Sequence, residues 1–239
     1  MGAFRRIYRR LRYGNRSESE IYLDGLRAMG VEIGQGTVAF APTMTFLDVS
    51  RPWLLTIGEH VQITKGVTVL THGYDWSVLK GVYGEILGSA GKVTIGNNVF
   101  LGMNCTVLKG VTIGDNVIIG ANSLVNKDIP SNCVAAGNPC RVIMSLEEYR
   151  QKRQQAQLSE ARELVTAYRQ RYGKEPDEQA LSEFFWLFTK DASNLPKCWQ
   201  EKMELVGNFR DSAKAMESRE PPYGSMEDFL RDIDFSGQM

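Results

Sequence analysis

Two histidines are the side chains of this 239-residue chain best suited to move a proton near neutral pH, because imidazole changes charge in that range. His72 lies in a stretch without periodicity, residues 71–91 (THGYDWSVLKGVYGEILGSAG), whereas His60 lies in the turn of a regular hexapeptide, residues 57–62. A loop that leaves a rigid scaffold can place a catalytic group, since the scaffold fixes the loop's ends. His72 is therefore a candidate for proton transfer, with a loop histidine that packs or faces solvent as the alternative, and we expect His60 to face solvent.

The same irregular stretch carries aromatic and acidic side chains at Tyr74, Asp75, Trp76 and Tyr83. Aromatic faces can cover the apolar patches of a pyranose ring, and a carboxylate can accept hydrogen bonds from sugar hydroxyls. These four residues are candidates for binding a sugar. The alternative is that they pack the loop against itself.

On both sides of this stretch, aliphatic residues recur every six positions. The marker positions are Ile57, Ile63, Val69, Ile95, Leu101, Val107, Ile113, Ile119 and Val125. A period of six fits neither a helix nor an ordinary strand, so the chain must bend at fixed intervals and return each marker to one face. Glycines follow several markers, at Gly96, Gly102, Gly114 and Gly120, and predict turns that need permissive backbone angles. Mostly small residues four positions after each marker predict a narrow interior.

The residues from Ile57 to Ile143 resemble the hexapeptide-repeat acyltransferases, and in particular the sugar O-acetyltransferases related to maltose and galactoside acetyltransferase. The resemblance implies a mainly β fold, a left-handed parallel β-helix over residues 31–143 with an extruded loop at about 72–92. It also implies direct transfer of acetyl from acetyl-CoA to a hydroxyl, no required metal, and a homotrimer with active sites between subunits.

Two positions acquire roles from this resemblance. His72, after Val69-Leu70-Thr71, matches the family's catalytic histidine, which implies that it is the general base for the acceptor hydroxyl. Asp48 in MTFLDVS falls near an acidic residue of the family that contacts either the acceptor or that histidine. The loop differs from its counterpart in maltose and galactoside acetyltransferases, and looks more like loops of acetyltransferases from capsular or lipopolysaccharide clusters. We therefore expect a sugar or glycan acceptor, such as a capsular, exopolysaccharide or lipopolysaccharide precursor.

Residues 117–143 (VIIGANSLVNKDIPSNCVAAGNPCRVI) resemble the coenzyme A end of the family, including its G-x-P-x-[RK]-V closing segment. The resemblance implies a pantetheine groove along Gly102, Met103, Gly120 and Ala121. It also implies that three residues lie near the nucleotide phosphates, namely Asn126, Lys127 and Arg141. Met103 stands where a hydroxyl residue is common, and Asn126 where threonine is frequent. The alternative for Lys127 and Arg141 is an exposed turn charge and a capping salt bridge.

Composition excludes several other functions. The 28 basic and 28 acidic residues cancel, which argues against recruitment of nucleic acid by a global field. The four cysteines lack metal or disulfide spacing, and no window resembles a signal peptide or a membrane span, so we expect reduced thiols and a cytoplasmic protein. A zinc site of the γ-carbonic anhydrase type needs three histidines, and the two histidines of this chain exclude it. A chloramphenicol-type xenobiotic acetyltransferase and a non-catalytic scaffold remain as alternatives.

The two ends of the chain depart from the repeat. Residues 1–30 predict a basic amphipathic helix and a second short helix that stops at Gly30. In the first helix, Arg5, Arg6, Arg9, Arg10, Arg12 and Arg16 surround Phe4, Ile7, Tyr8 and Leu11. This helix could make peripheral contact with anionic lipid. The alternative is that it lies in solvent or packs against a subunit. Residues 144–239 predict a helical extension, with apolar faces over 158–172 and 180–188, that caps the last coil, wraps a neighbouring subunit or shapes the acceptor entrance.

Overall fold

The computed structural model describes residues 3–236, except for the side chains of Ala3, Arg5, Arg6 and residues 234–236. The side chains of two of the predicted basic residues, Arg5 and Arg6, thus lie outside the described part. The chain forms two compact units that meet in sequence between Tyr149 and Arg150. Each unit has its own hydrophobic core.

The first unit begins with helices α1 (Ala3–Tyr13) and α2 (Ser19–Ala28) and continues as short strands. The strands are β1 (Glu32–Ile33), β2 (Val38–Ala39), β3 (Phe46–Leu47), β4 (Leu55–Ile57), β5 (Gln62–Ile63), β6 (Thr68–Val69), β7 (His72–Gly73), β8 (Ser89–Ala90), β9 (Val93–Ile95), β10 (Val99–Leu101), β11 (Thr106–Val107), β12 (Thr112–Ile113), β13 (Val117–Ile119), β14 (Leu124–Val125), β15 (Cys133–Ala136) and β16 (Arg141–Ser145). Short 3₁₀ helices cover Gly14–Arg16, Pro42–Met44 and Pro52–Leu54.

Three parallel sheets contain nearly all of these strands, in the orders β1-β4-β9-β12, β2-β5-β10-β13-β15 and β3-β6-β11-β14. Apart from the insertion strands β7 and β8, consecutive strands up to β14 lie in different sheets, so the chain visits the three sheets in turn. Strand β10 pairs with β13 in the register Val99↔Val117, a separation of three hexapeptides. The six-residue period is therefore the step from one sheet to the next, and the predicted parallel β architecture is confirmed.

The marker side chains line the interior of this arrangement. From Ile95 to Val125, every one of the six markers is at most 1% exposed. The residues four positions later, Val99, Cys105, Val111, Val117, Ser123 and Ile129, are buried as well. Complete burial of a Val, Leu or Ile side chain contributes about 1.5–3 kcal/mol, so the repeat itself supplies the core of the first unit.

The glycines that follow the markers have a different role from the predicted one. Positive φ angles occur instead at asparagines two residues further on, such as Asn104 (58°) and Asn122 (57°). A Cβ atom on Gly102 would lie 2.6 Å from the backbone nitrogen of Ala121 in the next coil. The expectation of glycine-type turn angles at these positions is therefore wrong: the close approach of stacked coils excludes a side chain there.

The irregular stretch is an insertion into one coil. Strand β6 pairs with β11 in the register Thr68↔Thr106, which is 38 residues instead of 18, so 20 residues are inserted. Within the insertion, β7 and β8 form an antiparallel pair, and helix α3 (Trp76–Tyr83) lies between them. The insertion explains why the spacing from Val69 to Ile95 is not a multiple of six.

Both ends of the stacked strands are covered. Helix α2 buries Tyr22, Leu23 and Leu26 in the core of the first unit and ends before Gly30, whose φ is 101°, as predicted. At the other end, β16 pairs with β15 antiparallel and so stops the parallel progression. These elements protect the apolar interior that a short stack would otherwise expose.

Helix α4 (Leu146–Tyr172) begins in the last residues of the first unit and continues into the second. The second unit is helical, with α5 (Lys197–Met203), α6 (Phe209–Glu217) and α7 (Met226–Ser236), and 3₁₀ helices at Phe185–Leu187 and Leu205–Gly207. Ala161 and Val165 are buried along the predicted face of α4, and Ser225 caps α7 through the backbone N–H of Asp228. Residues 180–188 form turns with i→i+3 hydrogen bonds instead of a second regular helix. No helix within residues 3–236 combines the length and apolar composition that crossing a bilayer requires.

Candidate active site

Parallel pairing of β3 with β6 brings the candidate catalytic residues together. The register Leu47↔Val69 places the residues that leave both strands side by side, and the backbone N–H of Asp48 donates to the carbonyl of Val69 at 3.0 Å. Asp48 follows β3 directly, while Thr71 and His72 follow β6 after one intervening residue. Residues that are 24 apart in sequence therefore become neighbours at one corner of the stack.

The carboxylate of Asp48 is the centre of a hydrogen-bond cluster. Its Oδ2 accepts from His72 Nδ1 at 2.6 Å, from Thr71 Oγ1 at 2.6 Å and from the Thr71 backbone N–H at 3.0 Å. Its Oδ1 accepts from the hydroxyl of Ser50 at 2.7 Å and from the Ser50 backbone N–H at 3.0 Å. Asp48 is 3% exposed and the side chain of His72 is 25% exposed, so the carboxylate is buried and the ring remains accessible.

These contacts determine the charge of Asp48 and the tautomer of His72. Burial alone would raise the pKa of Asp48, but the hydrogen bonds from Thr71 and Ser50 outweigh it and hold that pKa well below its usual range. An ionised carboxylate only accepts hydrogen bonds, so the proton between the two side chains belongs to Nδ1 of the ring. The neutral imidazole then carries its lone pair on Nε2. The ring is therefore oriented as a base whose other nitrogen is already bonded.

Asp48 had two expected roles, contact with the acceptor or contact with the catalytic histidine, and the structure shows the second contact. Ser50 and Thr71 complete the cluster and were not among the predicted site residues. Ser50 Oγ also lies 3.2 Å from His72 Nδ1. A serine two residues after an aspartate is typical of a local turn in which the carboxylate accepts a backbone N–H, and this signal identifies Ser50 in MTFLDVS.

The inserted segment brings Tyr74 close to His72, and Trp76 lies beside Tyr74. The ring of Tyr74 lies 6.3 Å from the imidazole in an edge-to-face arrangement, and 5.1 Å from the ring of Trp76. Tyr74 is 69% exposed, so its face is available to a ligand. Asp75 precedes α3 and is also exposed, while Tyr83 lies in the last turn of α3 and is 70% exposed.

The predicted pantetheine residues follow two paired strands. Gly102 and Met103 come after β10, and Gly120 and Ala121 come after β13, its partner strand. The backbone N–H of Asn122 donates to the carbonyl of Met103 at 2.8 Å, which joins the two turns. Met103 and Ala121 are exposed and Gly102 is buried. The structure therefore assembles these four residues at one edge of neighbouring coils.

The predicted phosphate residues lie around the end of the parallel stack. Asn126 and Lys127 follow β14, and Arg141 opens β16; all three are exposed. Leu124 of β14 donates to the carbonyl of Gly137 and accepts from the N–H of Cys140, so the turn before Arg141 is held against β14. Arg141 itself donates to the carbonyl of Cys140 at 2.6 Å.

The cysteines of this unit are not suited to act as nucleophiles. Burial and the neighbouring Cys140 raise the pKa of Cys105 to about 12, and burial also raises the pKa of Cys133. A nucleophilic cysteine reacts as its thiolate, which both environments disfavour. Within residues 3–236, no group of three His, Cys, Asp or Glu side chains could hold a metal ion.

Residues 92–127 match the family described as bacterial transferase hexapeptide (six repeats). Protein CapG of Staphylococcus aureus is 44% identical over 135 residues, which cover 54% of this chain and 74% of CapG. Galactoside O-acetyltransferase of Escherichia coli (strain K12) is 43% identical over 102 residues, covering 43% of this chain and 49% of that enzyme. The crystal structure of a maltose O-acetyltransferase from Clostridium difficile 630 is similar over 59% of this chain and 86% of its own, with 31% identity and a TM-score of 0.39.

The matched segment thus spans about half the length of the galactoside enzyme and three quarters of CapG. These matches, over most of CapG and over the repeats themselves, confirm the family and the enzyme class predicted from the sequence. The chain belongs to the hexapeptide-repeat transferase family and is an acyltransferase.

Proposed function

We propose that this acyltransferase moves acetyl from acetyl-CoA directly to a hydroxyl of a sugar or glycan, such as a capsular, exopolysaccharide or lipopolysaccharide precursor. The observation that carries the proposal is the hydrogen bond of 2.6 Å between Asp48 and Nδ1 of His72, which leaves Nε2 as the proton acceptor. The galactoside O-acetyltransferase among the relatives supports an O-linked product.

The reaction needs one proton to move twice. Nε2 of His72 takes the proton of the acceptor hydroxyl as its oxygen attacks the thioester carbonyl, and a tetrahedral intermediate forms. When that intermediate collapses, the carbon–sulfur bond breaks and His72 returns the proton to the leaving thiolate. During the step in which His72 is cationic, the buried carboxylate of Asp48 stabilises its charge.

The donor, acetyl-CoA, would bind along the edges of the stacked coils. An extended pantetheine arm would run along the turns of Gly102, Met103, Gly120 and Ala121, where exposed backbone can form hydrogen bonds. Asn126, Lys127 and Arg141 would contact the nucleotide end, since the exposed cations offset phosphate charge.

The acceptor is assigned to the inserted segment. The exposed ring of Tyr74 and the adjacent Trp76 offer apolar faces to a pyranose close to His72. Asp75 and Tyr83 would bind hydroxyls of a larger acceptor, because they lie further along the same segment.

The proposal also includes the family's assembly and location. We infer a left-handed solenoid that forms a homotrimer, with active sites between subunits. Exposed apolar side chains on the inserted segment support assembly, since Val78 and Val82 are each 67% exposed and Ile86 is 62% exposed. The free thiols of Cys105, Cys133, Cys140 and Cys198 support a cytoplasmic location.

The test measures release of free CoA from acetyl-CoA with a panel of glycans and with chloramphenicol, and mass spectrometry of each acceptor for a gain of one acetyl group. His72→Asn should lower the rate by about 10²-fold or more, as expected for loss of a general base. His60→Asn is the matched control, because asparagine tolerates the positive φ of 55° at that position. Near-normal turnover in the His72 variant would exclude this mechanism, and acetylation of chloramphenicol alone would exclude the glycan acceptor.

A further inference from the structure

Helix α1 carries its apolar residues on one exposed face. Phe4, Ile7, Tyr8 and Leu11 follow the i, i+3, i+4, i+7 spacing of a single stripe. Their side chains are 92%, 59%, 57% and 83% exposed, respectively. A surface helix normally turns such a stripe towards the core, so in this helix the stripe lacks the cover that its pattern predicts.

The opposite side of α1 faces the body of the first unit. Arg9, which lies across the helix from the stripe, is half-buried and lines a surface cleft with Ser17, Ser19 and Phe40. Just after the helix, Arg16 donates to the carbonyls of Pro42 and Thr45. Arg16 therefore anchors the segment to the first coil and does not belong to the predicted basic surface. The anchored end of the segment and the half-buried Arg9 keep the apolar stripe facing outward.

The charge of this segment indicates what covers the stripe. Residues 1–17 contain six arginines and neither aspartate nor glutamate, although the whole chain has a net charge of zero. Arg10 and Arg12 are exposed, and both flank the stripe on the helix surface. Arg12 also donates to the hydroxyl of Tyr8 at 2.8 Å, so the polar tip of that ring has a cationic partner.

We propose that α1 docks this protein onto an anionic lipid bilayer. Phe4, Ile7 and Leu11 enter the boundary between headgroups and acyl chains, while Arg10 and Arg12 bind lipid phosphates. A second copy of α1 on the same stripe would bring two arginine-rich helices together and would be repelled. A nucleic acid would bind the arginines but would leave the apolar stripe exposed to water.

The experiment is flotation of the full-length protein with vesicles of phosphatidylcholine alone or mixed with phosphatidylglycerol. We expect binding to the anionic vesicles, with little binding to the neutral ones. Leu11→Gln should weaken this binding by about tenfold, since burial of one leucine is lost. Arg10→Gln with Arg12→Gln should weaken it by about 20-fold, and raising the salt towards 1 M should have a similar effect, because the Debye length falls to about 3 Å.

Matched variants in the second unit provide the controls. Leu205→Gln changes an exposed leucine elsewhere, and Arg171→Gln with Arg210→Gln makes the same change in net charge. Both controls should bind vesicles like the natural protein, and all variants should keep its thermal unfolding midpoint.

Four results would overturn the proposal. The first is absence of flotation by the natural protein, and the second is equal loss in the α1 variants and their controls. The third is a loss of vesicle binding in the arginine variant but not in Leu11→Gln, together with binding of single-stranded RNA by the natural protein. This result would identify a surface for polyanions. The fourth is a change of oligomeric mass in Leu11→Gln when the natural protein does not bind vesicles, which would show that a second copy covers the stripe.

Discussion

The buried carboxylate of Asp48 controls the orientation of the proposed base. It is 3% exposed and accepts hydrogen bonds from Ser50, Thr71 and His72. A buried charge is tolerated only when its hydrogen-bonding capacity is used, because desolvation of an unpaired carboxylate costs several kcal/mol. The local structure of two turns and the tautomer of His72 therefore depend on this one side chain.

Asp48→Asn should keep the shape of this cluster and lose its function. An amide has one acceptor oxygen instead of two, so it cannot accept from both Ser50 and Thr71 and still fix the proton on Nδ1 of His72. We expect kcat to fall by about 10²-fold or more, with a smaller change in the KM for acetyl-CoA. Glu85→Gln is the control for the loss of one negative charge, since Glu85 is exposed on the inserted segment and has no assigned role. An equal fall in kcat in that variant would contradict the assignment.

Asp48 should also make the stability of the protein depend on pH. Because its pKa is lowered in the folded state, its stabilising contribution is present above the ordinary aspartate pKa of about 3.9 and is lost as pH falls through the lower folded value. The difference in unfolding free energy between the natural protein and Asp48→Asn should be largest near neutral pH and shrink below about pH 4. Urea unfolding at several pH values measures it, and a difference that stays constant down to pH 2 would refute the explanation.

Part of this cluster could be predicted from the sequence and part could not. The break in the repeat, together with the family resemblance, predicted His72 as the catalytic histidine and Asp48 as a residue that contacts it or the acceptor. Thr71 was missed because its contact with Asp48 joins residues 23 positions apart, across two turns that only the pairing of β3 with β6 brings together. Ser50 could be predicted from its local turn with Asp48, but its contact with His72, 22 positions away, could not. Periodicity describes which face a residue occupies and contains no information about such contacts.

At the scale of the elements, the repeat predicted the strands well because each step of six residues has the same geometry. One marker per step must enter the narrow interior, so the burial of Leu101 and its counterparts follows from the period alone. The inserted segment has no such repetition, and helix α3 was not predicted within it. The role of Gly102 was wrongly predicted. A side chain is excluded there because the next coil lies too close, and not because the turn at Gly102 needs glycine backbone angles.

Gly102→Ala should therefore destabilise the stack without altering any backbone preference. Its new Cβ would meet backbone atoms of Ile119, Gly120 and Ala121 at 2.6–2.7 Å, and backbone cannot move aside as a flexible side chain can. We expect a loss of about 1–3 kcal/mol in unfolding free energy, typical of overpacking.

Gly81→Ala offers the matched comparison within helix α3, where nothing lies within 4 Å of the added methyl group. Because alanine favours a helix interior over glycine by about 0.5–1 kcal/mol, this variant should be neutral or slightly stabilised. Thermal or urea unfolding measures both substitutions, and equal effects would show that stacking does not constrain Gly102.

At the scale of the whole molecule, the chain has two cores with no residue in common. The first core consists mostly of aliphatic residues from the repeat, with Tyr22, Leu23 and Leu26 of α2 at one end. The second core is rich in aromatic rings, such as Phe185 stacked on Trp199 at 5.3 Å and Phe188 stacked on Phe229 at 5.7 Å. Sequence periodicity located the first core closely and the second only in part, since residues 180–188 reach it through turns.

Separate cores predict separate responses to substitution. Leu101→Ala removes a fully buried side chain from the first core, and Phe188→Ala removes one from the second. Losses of about 2–5 and 3–5 kcal/mol are expected, respectively. In differential scanning calorimetry, each substitution should lower the midpoint of one transition and leave the other in place, because the two cores share no residue. A single transition that both substitutions shift equally would mean that the two units unfold as one cooperative structure.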